Sequence, residues 1–338
     1  MTVPRPSLIE LDRPDAGAFR AAVTGCYEPV VLRGLVADWP AVAASATAAD
    51  AVAYLAAFDR GRPAEAFVAP PETGGRYFYA ADMRGFNFER RSGPFGAIVR
   101  DIAGLPDSED VPRVYVGSAP VAEVLPGFER ANPMPLLPPS LAQPRIWIGN
   151  RSEVSAHFDL SDNIACVVAG RRRFTLFSPE QVANLYVGPL DHNMAGQPAS
   201  MVPLKSADPD RFPRFADALA HARTVELEPG DALYIPTLWW HHVEALAPFN
   251  ILVNYWWEEA PAFAGRAFEA MVHGILAMGD IPPERREAWR AMFEYYVFQR
   301  QGEPVGHLPP EHRGISGPRT PQLRERIRQF LLRSLSRG

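Results

Sequence analysis

Short apolar runs, many of them alternating with polar residues and bounded by glycine or proline, fill much of the chain between residues 25 and 257. The segments EPVVLRGL, PRVYVGSAP and RIWIGN are examples. Alternation predicts β-strands, because successive side chains of a strand point to opposite faces of a sheet. Gly170 separates NIACVVA from RRFTLF, which predicts a β-hairpin at that glycine. The pattern therefore predicts a mainly β fold.

Apolar residues at helical spacing predict flanking helices near residues 14–25, 48–57 and 94–103. We interpret residues 1–105 as an N-terminal α/β elaboration that packs on a β-barrel core formed by residues 106–258. The chain contains 35 prolines, which favour turns and long loops over a largely helical structure.

The character of the sequence changes after Trp257. We predict three amphipathic helices in residues 259–338: one over 261–276, one that carries Trp289, and one that Thr320 caps. Each helix has an apolar stripe that must be buried, either on the chain's own barrel or on a second copy of the chain. We favour the second arrangement, a homodimer that forms through these helices.

Composition and charge restrict the partners and the location of this 338-residue chain. The net charge is only -5, with an isoelectric point near 5.9, so we expect no nucleic-acid partner. The start of the sequence does not have the pattern of a signal peptide, and no apolar run reaches the length of a membrane span. With only two cysteines, Cys26 and Cys166, no disulfide framework is implied. We therefore expect a cytoplasmic protein that has no membrane partner.

Two histidine-containing segments suggest a metal site. His157 and Asp159 lie two residues apart in an expected strand, so that an imidazole and a carboxylate project from one face. A turn at 229–230 introduces a second strand with His241 and His242, which must face opposite ways. Two imidazoles and one carboxylate form the set of ligands used by oxygen-activating non-haem Fe(II). An isolated H-x-D triplet is a weak signal, and a histidine on a strand is more often part of the core.

A long connection, residues 179–222, separates the two halves of this expected site. Long ordered loops at the mouth of a barrel often shape a substrate pocket, although such a segment can also simply cover the barrel edge. Four tryptophans near the second half are candidates for aromatic walls, and alternation along the strands assigns half of them to the core. These are Trp239, Trp240, Trp256 and Trp257.

Three motifs together resemble a known family. HFD at 157–159, GRRRFTLFSPEQ at 170–181 and PGDALYIPTLWWHHV at 229–243 are similar to the cupin-like branch of the JmjC-type Fe(II)/2-oxoglutarate oxygenases, and in particular to its asparaginyl hydroxylases. The resemblance extends over most of residues 25–257. It implies a double-stranded β-helix, the cupin or jelly-roll barrel, followed by a C-terminal helical dimerisation region.

The resemblance also implies which residues bind iron and cosubstrate. His157, Asp159 and His241 match the three Fe(II) ligands of the family. The family holds the distal carboxylate of 2-oxoglutarate with a basic residue, usually lysine, at the position that Arg172 occupies here. Arginine binds a carboxylate with two parallel hydrogen bonds, whereas lysine offers a point charge. Of the three consecutive arginines 171–173, only the middle one should point inward.

Further cosubstrate residues follow from the same resemblance. Tyr115 and Ser155 match a tyrosine and a hydroxyl residue that help to hold the distal carboxylate, although the spacing around Ser155 differs by one residue. Val154 then lies where the family has threonine. Asn163 and Asn254 match asparagines near the cosubstrate and the metal.

The activity that the resemblance implies is hydroxylation of a C–H bond by Fe(II), with 2-oxoglutarate and O2 as cosubstrates and succinate and CO2 as products. The substrate is a protein side chain (or peptide) or a small molecule, and demethylation would use the same step. Two alternatives stay open at this point. One is a metal-dependent cupin that does not use 2-oxoglutarate, such as a small-molecule dioxygenase or isomerase. The other is a non-catalytic scaffold that binds a peptide.

Overall fold

Two β-sheets packed face to face dominate the computed structural model, which describes residues 7–194, 196–258 and 266–336. The strands of this part of the chain are β1 (Ile9–Asp12), β2 (Val30–Arg33), β3 (Pro63–Ala69), β4 (Arg76–Tyr77), β5 (Glu89–Pro94), β6 (Arg113–Pro120), β7 (Gln143–Gly149), β8 (Ser152–His157), β9 (Asp162–Ala169), β10 (Arg172–Phe177), β11 (Arg223–Leu227), β12 (Ala232–Ile235), β13 (Trp240–Ala245) and β14 (Asn250–Trp257). The larger sheet has the order β1-β2-β12-β9-β14-β7-β6-β3-β5 and the smaller one β11-β10-β13-β8-β4. The mainly β, jelly-roll fold of the cupins is therefore confirmed, with two sheets in place of a closed ring of strands.

The helices of the described residues lie before, between and after the strands. They are α1 (Ala16–Val23), α2 (Pro40–Ala43), α3 (Ala48–Ala56), α4 (Phe95–Ala103), α5 (Val121–Val124), α6 (Phe128–Ala131), α7 (Phe215–His221), α8 (Ala267–Met278), α9 (Pro283–Tyr296) and α10 (Pro321–Leu335). The three N-terminal helices predicted from spacing correspond to α1, α3 and α4. None of the helices in the described ranges is long and apolar enough to cross a membrane.

Strand β9 shows why the sequence builds a two-layer interior. Ala165 and Val167 pack between the two sheets, against residues such as Phe174 of the smaller sheet. Ile164 and Cys166 face the other way, into a layer with the helices. A strand that is buried on both faces has to be apolar throughout, which explains the run NIACVVA.

The predicted hairpin at Gly170 is wrong. β9 pairs with β12 and β14 in the larger sheet, whereas β10 pairs with β11 and β13 in the smaller one. The chain thus crosses from one sheet to the other at Gly170, whose φ of +73° favours glycine. A side chain there would also clash with Asn250 and with the carbonyl oxygen of Phe249. Turn chemistry showed where the chain bends, but it did not show which strands pair.

The described chain divides into two compact units, Met1–Glu258 and Glu259–Gly338. In the first unit, strands from residues 1–105 hydrogen-bond directly into both sheets: β1, β2, β3 and β5 into the larger one and β4 into the smaller one. The second unit contains α8, α9 and α10, and Thr320 caps α10 by accepting a hydrogen bond from the amide of Leu323 at 3.2 Å. The predicted helix start at residue 261 lies outside the described residues. The three-domain division at residues 105 and 258 stays a prediction.

Candidate metal centre and cosubstrate cavity

Neighbouring strands of the smaller sheet place two imidazoles beside one carboxylate. His157 of β8 lies directly opposite His241 of β13, with 4.2 Å between the ring centroids. Nε2 of His241 is 3.7 Å from Oδ2 of Asp159. One ligand atom from each of the three residues lies within 4.8 Å of the others. These residues, called the inner triad below, are therefore close enough to bind one metal ion after small adjustments.

Backbone carbonyls orient both imidazoles of the inner triad. Nδ1 of His157 lies 2.9 Å from the carbonyl oxygen of Ser155, and Nδ1 of His241 lies 3.0 Å from that of Trp239. A carbonyl can only accept, so Nδ1 donates in each ring and Nε2 is the nitrogen that remains for a metal. Burial and the nearby His157 lower the pKa of His241 to about 4. The ring of His241 is therefore neutral at physiological pH, as a metal ligand must be.

Asp159 is held by a loop contact rather than by strand alternation. β8 ends at His157, so the expectation that both ligands belong to one regular strand is wrong. The carbonyl oxygen of Asp159 instead accepts hydrogen bonds from the amide of Leu238 at 2.9 Å and from Oγ1 of Thr237 at 3.2 Å. Oδ2 of the Asp159 side chain accepts a hydrogen bond from Nε1 of Trp256 at 3.0 Å. These bonds fix a carboxylate that would otherwise be mobile.

A β-bulge in β8 precedes the first histidine of the inner triad. His157 pairs with His241 and Val154 with Val243, so three residues of β8 advance against two of β13. The extra residue allows both Val154 and His157 to face the cavity. Ser155 lines the cavity as well.

The inner triad opens into a cavity of about 160 Å³ between the two sheets. Its walls are largely apolar and aromatic: Phe67, Tyr77, Phe88, Tyr115, Trp147, Phe174, Leu252 and Trp256. Met194, Gln197 and Ala199 of the long connection also line it, so that connection contributes to the pocket as predicted. Sequence reasoning missed Phe67 and Phe88, although both lie in strand-like segments rich in aromatic residues.

Arg172 lines the cavity as a buried cation. Its residue exposure is 5%, and its Nε has no hydrogen-bond partner among the described residues. Burial lowers the pKa of Arg172 to about 10, and the nearby Tyr115 only partly opposes this effect. Arg171 and Arg173 point outward and bond to Glu226, at 3.3 and 2.6 Å. The alternation expected for the three arginines is therefore present.

The remaining predicted cosubstrate residues also line the cavity. Nε1 of Trp147 donates to Oδ1 of Asn254 at 2.7 Å, and Nδ2 of Asn254 donates to Oδ1 of Asn163 at 3.2 Å. The ring of Tyr115 stacks on Trp147, with 5.6 Å between centroids, and burial raises the pKa of its hydroxyl. The Oγ of Ser155 accepts a hydrogen bond from Nε of Arg76 at 2.9 Å.

The four candidate tryptophans divide unequally. Trp256 lines the cavity, whereas Trp239, Trp240 and Trp257 belong to the hydrophobic cores. His242, the alternative to His241, lies on the opposite face of β13 beside Glu153 and Glu244. Sequence reasoning did not identify that second group, because Glu153 and Glu244 meet only through the pairing of β8 with β13.

Comparisons with known proteins agree with this arrangement. Residues 16–263 match the family described as cupin-like domain. tRNA wybutosine-synthesizing protein 5 of Danio rerio is 30% identical over 146 residues, covering 39% of this chain and 42% of that protein. Jumonji C domain-containing protein 5 of Drosophila melanogaster is 34% identical over 121 residues, covering 36% and 29%. Lysine-specific demethylase JMJ31 of Arabidopsis thaliana is 30% identical over 120 residues, covering 35% and 21%.

The chain thus spans less than half the length of each of these three relatives. The family match, in contrast, covers most of the chain and includes both strands of the inner triad. With its two-sheet jelly roll, the chain belongs to the cupin-like, JmjC-type domain family.

Proposed function

We propose that this protein is an Fe(II)- and 2-oxoglutarate-dependent hydroxylase, with His157, Asp159 and His241 as its iron ligands. The observation that carries the proposal is the pairing of the inner triad with Arg172 in one cavity. A buried guanidinium without a carboxylate partner is costly unless a ligand completes the ion pair. A dicarboxylate held at the inner triad by one end would supply Arg172 with a carboxylate partner at the other.

The donor set of this chain fits iron. Two imidazoles and one carboxylate would hold Fe(II) and leave positions for a cosubstrate and for O2. When bound, Fe(II) supplies the oxidative chemistry that couples decarboxylation of 2-oxoglutarate, to succinate and CO2, to hydroxylation of a C–H bond. The protein supplies binding, orientation and exclusion of water.

Each predicted cosubstrate residue has a role in this proposal. The guanidinium of Arg172 binds the distal carboxylate of 2-oxoglutarate, with the hydroxyls of Tyr115 and Ser155 as additional donors. The linked amides of Asn163 and Asn254 polarise the wall of the cavity near the inner triad. The aromatic residues around them exclude water, which strengthens each of these electrostatic contacts.

The substrate in this proposal is a side chain of a protein or peptide, or a small molecule. The relatives' names refer to a tRNA modification and to lysine demethylation, so the family offers no single substrate class for this chain. Its mildly negative net charge of -5 supports a substrate other than nucleic acid. A cytoplasmic location is part of the same proposal, because a reducing compartment keeps iron ferrous.

Anaerobic Fe(II) titration, followed by a succinate assay with 2-oxoglutarate and O2, tests the proposal. We expect one catalytic iron per chain and succinate formation in the wild type. Asp159→Ala should remove both, whereas Asp101→Ala, which changes an exposed carboxylate on α4, should remove neither. Metal binding at the inner triad without 2-oxoglutarate binding would instead indicate a metal-only cupin. Binding of neither would indicate a scaffold without catalytic activity.

We also propose that the chain forms a homodimer through α8, α9 and α10. Large apolar side chains on these helices are exposed within their own unit, among them Ile275, Trp289 and Phe330. Burial of such side chains contributes about 1.5–3 kcal/mol each when it is complete. A second copy of the same helices offers a matching apolar surface.

A further inference from the structure

A second group of ligand-type side chains lies on the reverse face of the two strands that carry the inner triad. Glu153 of β8 pairs in register with Glu244 of β13, and His242 lies on the same face of β13 as Glu244. Their exposed fractions are 8%, 3% and 2%, respectively. One ligand atom from each residue lies within 4.8 Å of the others. We call Glu153, His242 and Glu244 the outer cluster.

Two buried carboxylates side by side require a cation. Lys205, from the long connection, meets this need in part, because its Nζ lies 3.1 Å from Oε2 of Glu153 and 2.7 Å from Oε1 of Glu244. Nη1 of Arg173 is 3.5 Å from Oε2 of Glu244, but its closest contact, at 2.6 Å through Nη2, is with Glu226. The side chain of Lys205 is 61% exposed, so its flexible stem reaches in from solvent and can leave without disrupting the core.

Lys205 does not satisfy the third member of the outer cluster. Nε2 of His242 is buried and has no hydrogen-bond partner in the described part of the chain. It lies 3.9 Å from Oε1 of Glu153 and is thus directed into the cluster. A buried ring nitrogen without a partner is destabilising. A lysine ammonium therefore explains the two carboxylates but not the imidazole, whereas a metal ion would bind all three.

We propose that the outer cluster is a binding site for a zinc-class divalent cation, which competes with the ammonium of Lys205. One imidazole nitrogen and two carboxylate oxygens are typical ligands of Zn(II), and water completes a tetrahedral site. The ion would bring two positive charges to the carboxylate pair in place of one. Because His241 and His242 point to opposite faces of β13, the outer cluster and the inner triad bind separate ions, and this inference does not depend on the proposed hydroxylase activity.

Metal titration in a background without the inner triad tests this proposal. In the double variant His157→Ala, Asp159→Ala, we expect one Co(II) per chain, seen as a visible absorption band and displaced by Zn(II). Adding Lys205→Met removes the competing ammonium and should tighten Co(II) binding at least tenfold. Zn(II) should also raise the unfolding temperature of this variant, because the ion joins β8 to β13.

Two further variants distinguish the outer cluster from other metal-binding residues. Glu153→Gln combined with Glu244→Gln should abolish the Co(II) band, with folding checked by circular dichroism. His221→Ala, which removes an exposed histidine of α7, should leave the band unchanged. The proposal is overturned if adding Lys205→Met to the His157→Ala, Asp159→Ala variant does not tighten its Co(II) binding. It is also overturned if the bound ion survives His242→Gln, a variant that retains both carboxylates.

Discussion

The buried guanidinium of Arg172 should destabilise the free protein and stabilise the complex with 2-oxoglutarate. Its pKa of about 10 lies well below the usual value for arginine, because burial disfavours the charged form. One pKa unit corresponds to about 1.4 kcal/mol, so the cation costs roughly 3 kcal/mol at neutral pH. Arg172→Met should therefore raise the unfolding temperature of the free protein by a few degrees. The difference should shrink as the pH rises through 10, where the wild-type side chain can lose its proton.

The same substitution should impair cosubstrate binding. Truncating one partner of a buried, hydrogen-bonded charge pair costs about 3 kcal/mol, which corresponds to roughly a hundredfold increase in Kd. Isothermal titration of 2-oxoglutarate into the Mn(II)-loaded protein measures this change without turnover. Arg171→Met serves as the matched control, because Arg171 precedes Arg172 but points outward to Glu226. It should alter neither stability nor cosubstrate affinity appreciably.

The two measurements together test the reasoning about Arg172. If Arg172 serves only the fold, its replacement should destabilise the protein and have little effect on the affinity for 2-oxoglutarate. If Arg172 serves the ligand, as proposed here, its replacement should stabilise the free protein and weaken 2-oxoglutarate binding. If Arg172→Met unfolds at a lower temperature and binds 2-oxoglutarate with unchanged affinity, Arg172 is a structural residue and the cosubstrate proposal fails.

Three further predictions concern the metal ligands, the cavity wall and the C-terminal helices. Trp256→Phe removes the donor to Asp159 and should weaken Mn(II) binding about 10–100-fold, as measured by electron paramagnetic resonance; unchanged affinity would contradict an orienting role for this bond. Val154→Thr adds a hydroxyl to the cavity wall and should tighten 2-oxoglutarate binding about fivefold through one hydrogen bond, so weaker binding in a calorimetric titration would refute this. Phe330→Asp should convert the proposed dimer to a monomer in light scattering, whereas an unchanged mass would show that α10 is not part of the interface.

Much of the fold follows from local patterns, but strand pairing does not. The alternating runs predicted most strands, and helical spacing located α4 within a residue at its start. The hairpin at Gly170 failed because a glycine with positive φ is equally suited to a tight hairpin and to a crossing between sheets. Only the long-range pairing of β9 with β12 and β14 distinguishes the two. Pairing of this kind depends on contacts distant in sequence.

The candidate site shows the same division between local and long-range information. The three candidate metal ligands and the inward direction of Arg172 followed from sequence motifs and alternation. The β-bulge at Val154–His157 did not, because a bulge is defined by the register against β13. The hydrogen bond from Trp256 to Asp159 could not be predicted either, since these residues are 97 positions apart in the chain. Sequence patterns thus identified candidate ligands, whereas the structure shows what orients them.

Strand β13 separates a cavity that contains a buried cation from a cluster that contains two buried carboxylates. His241 faces a cavity in which the cation Arg172 has no carboxylate partner among the described residues. On the other face, His242 and Glu244 lie in a cluster where two carboxylates share chiefly the ammonium of Lys205. The first face thus favours an added anion and the second an added cation. Because alternate residues of one strand serve these faces, shifting β13 by one residue would exchange the two histidines and disrupt both arrangements. The opposite charges on the two faces of β13 explain why His241 and His242, although adjacent in the chain, have different partners.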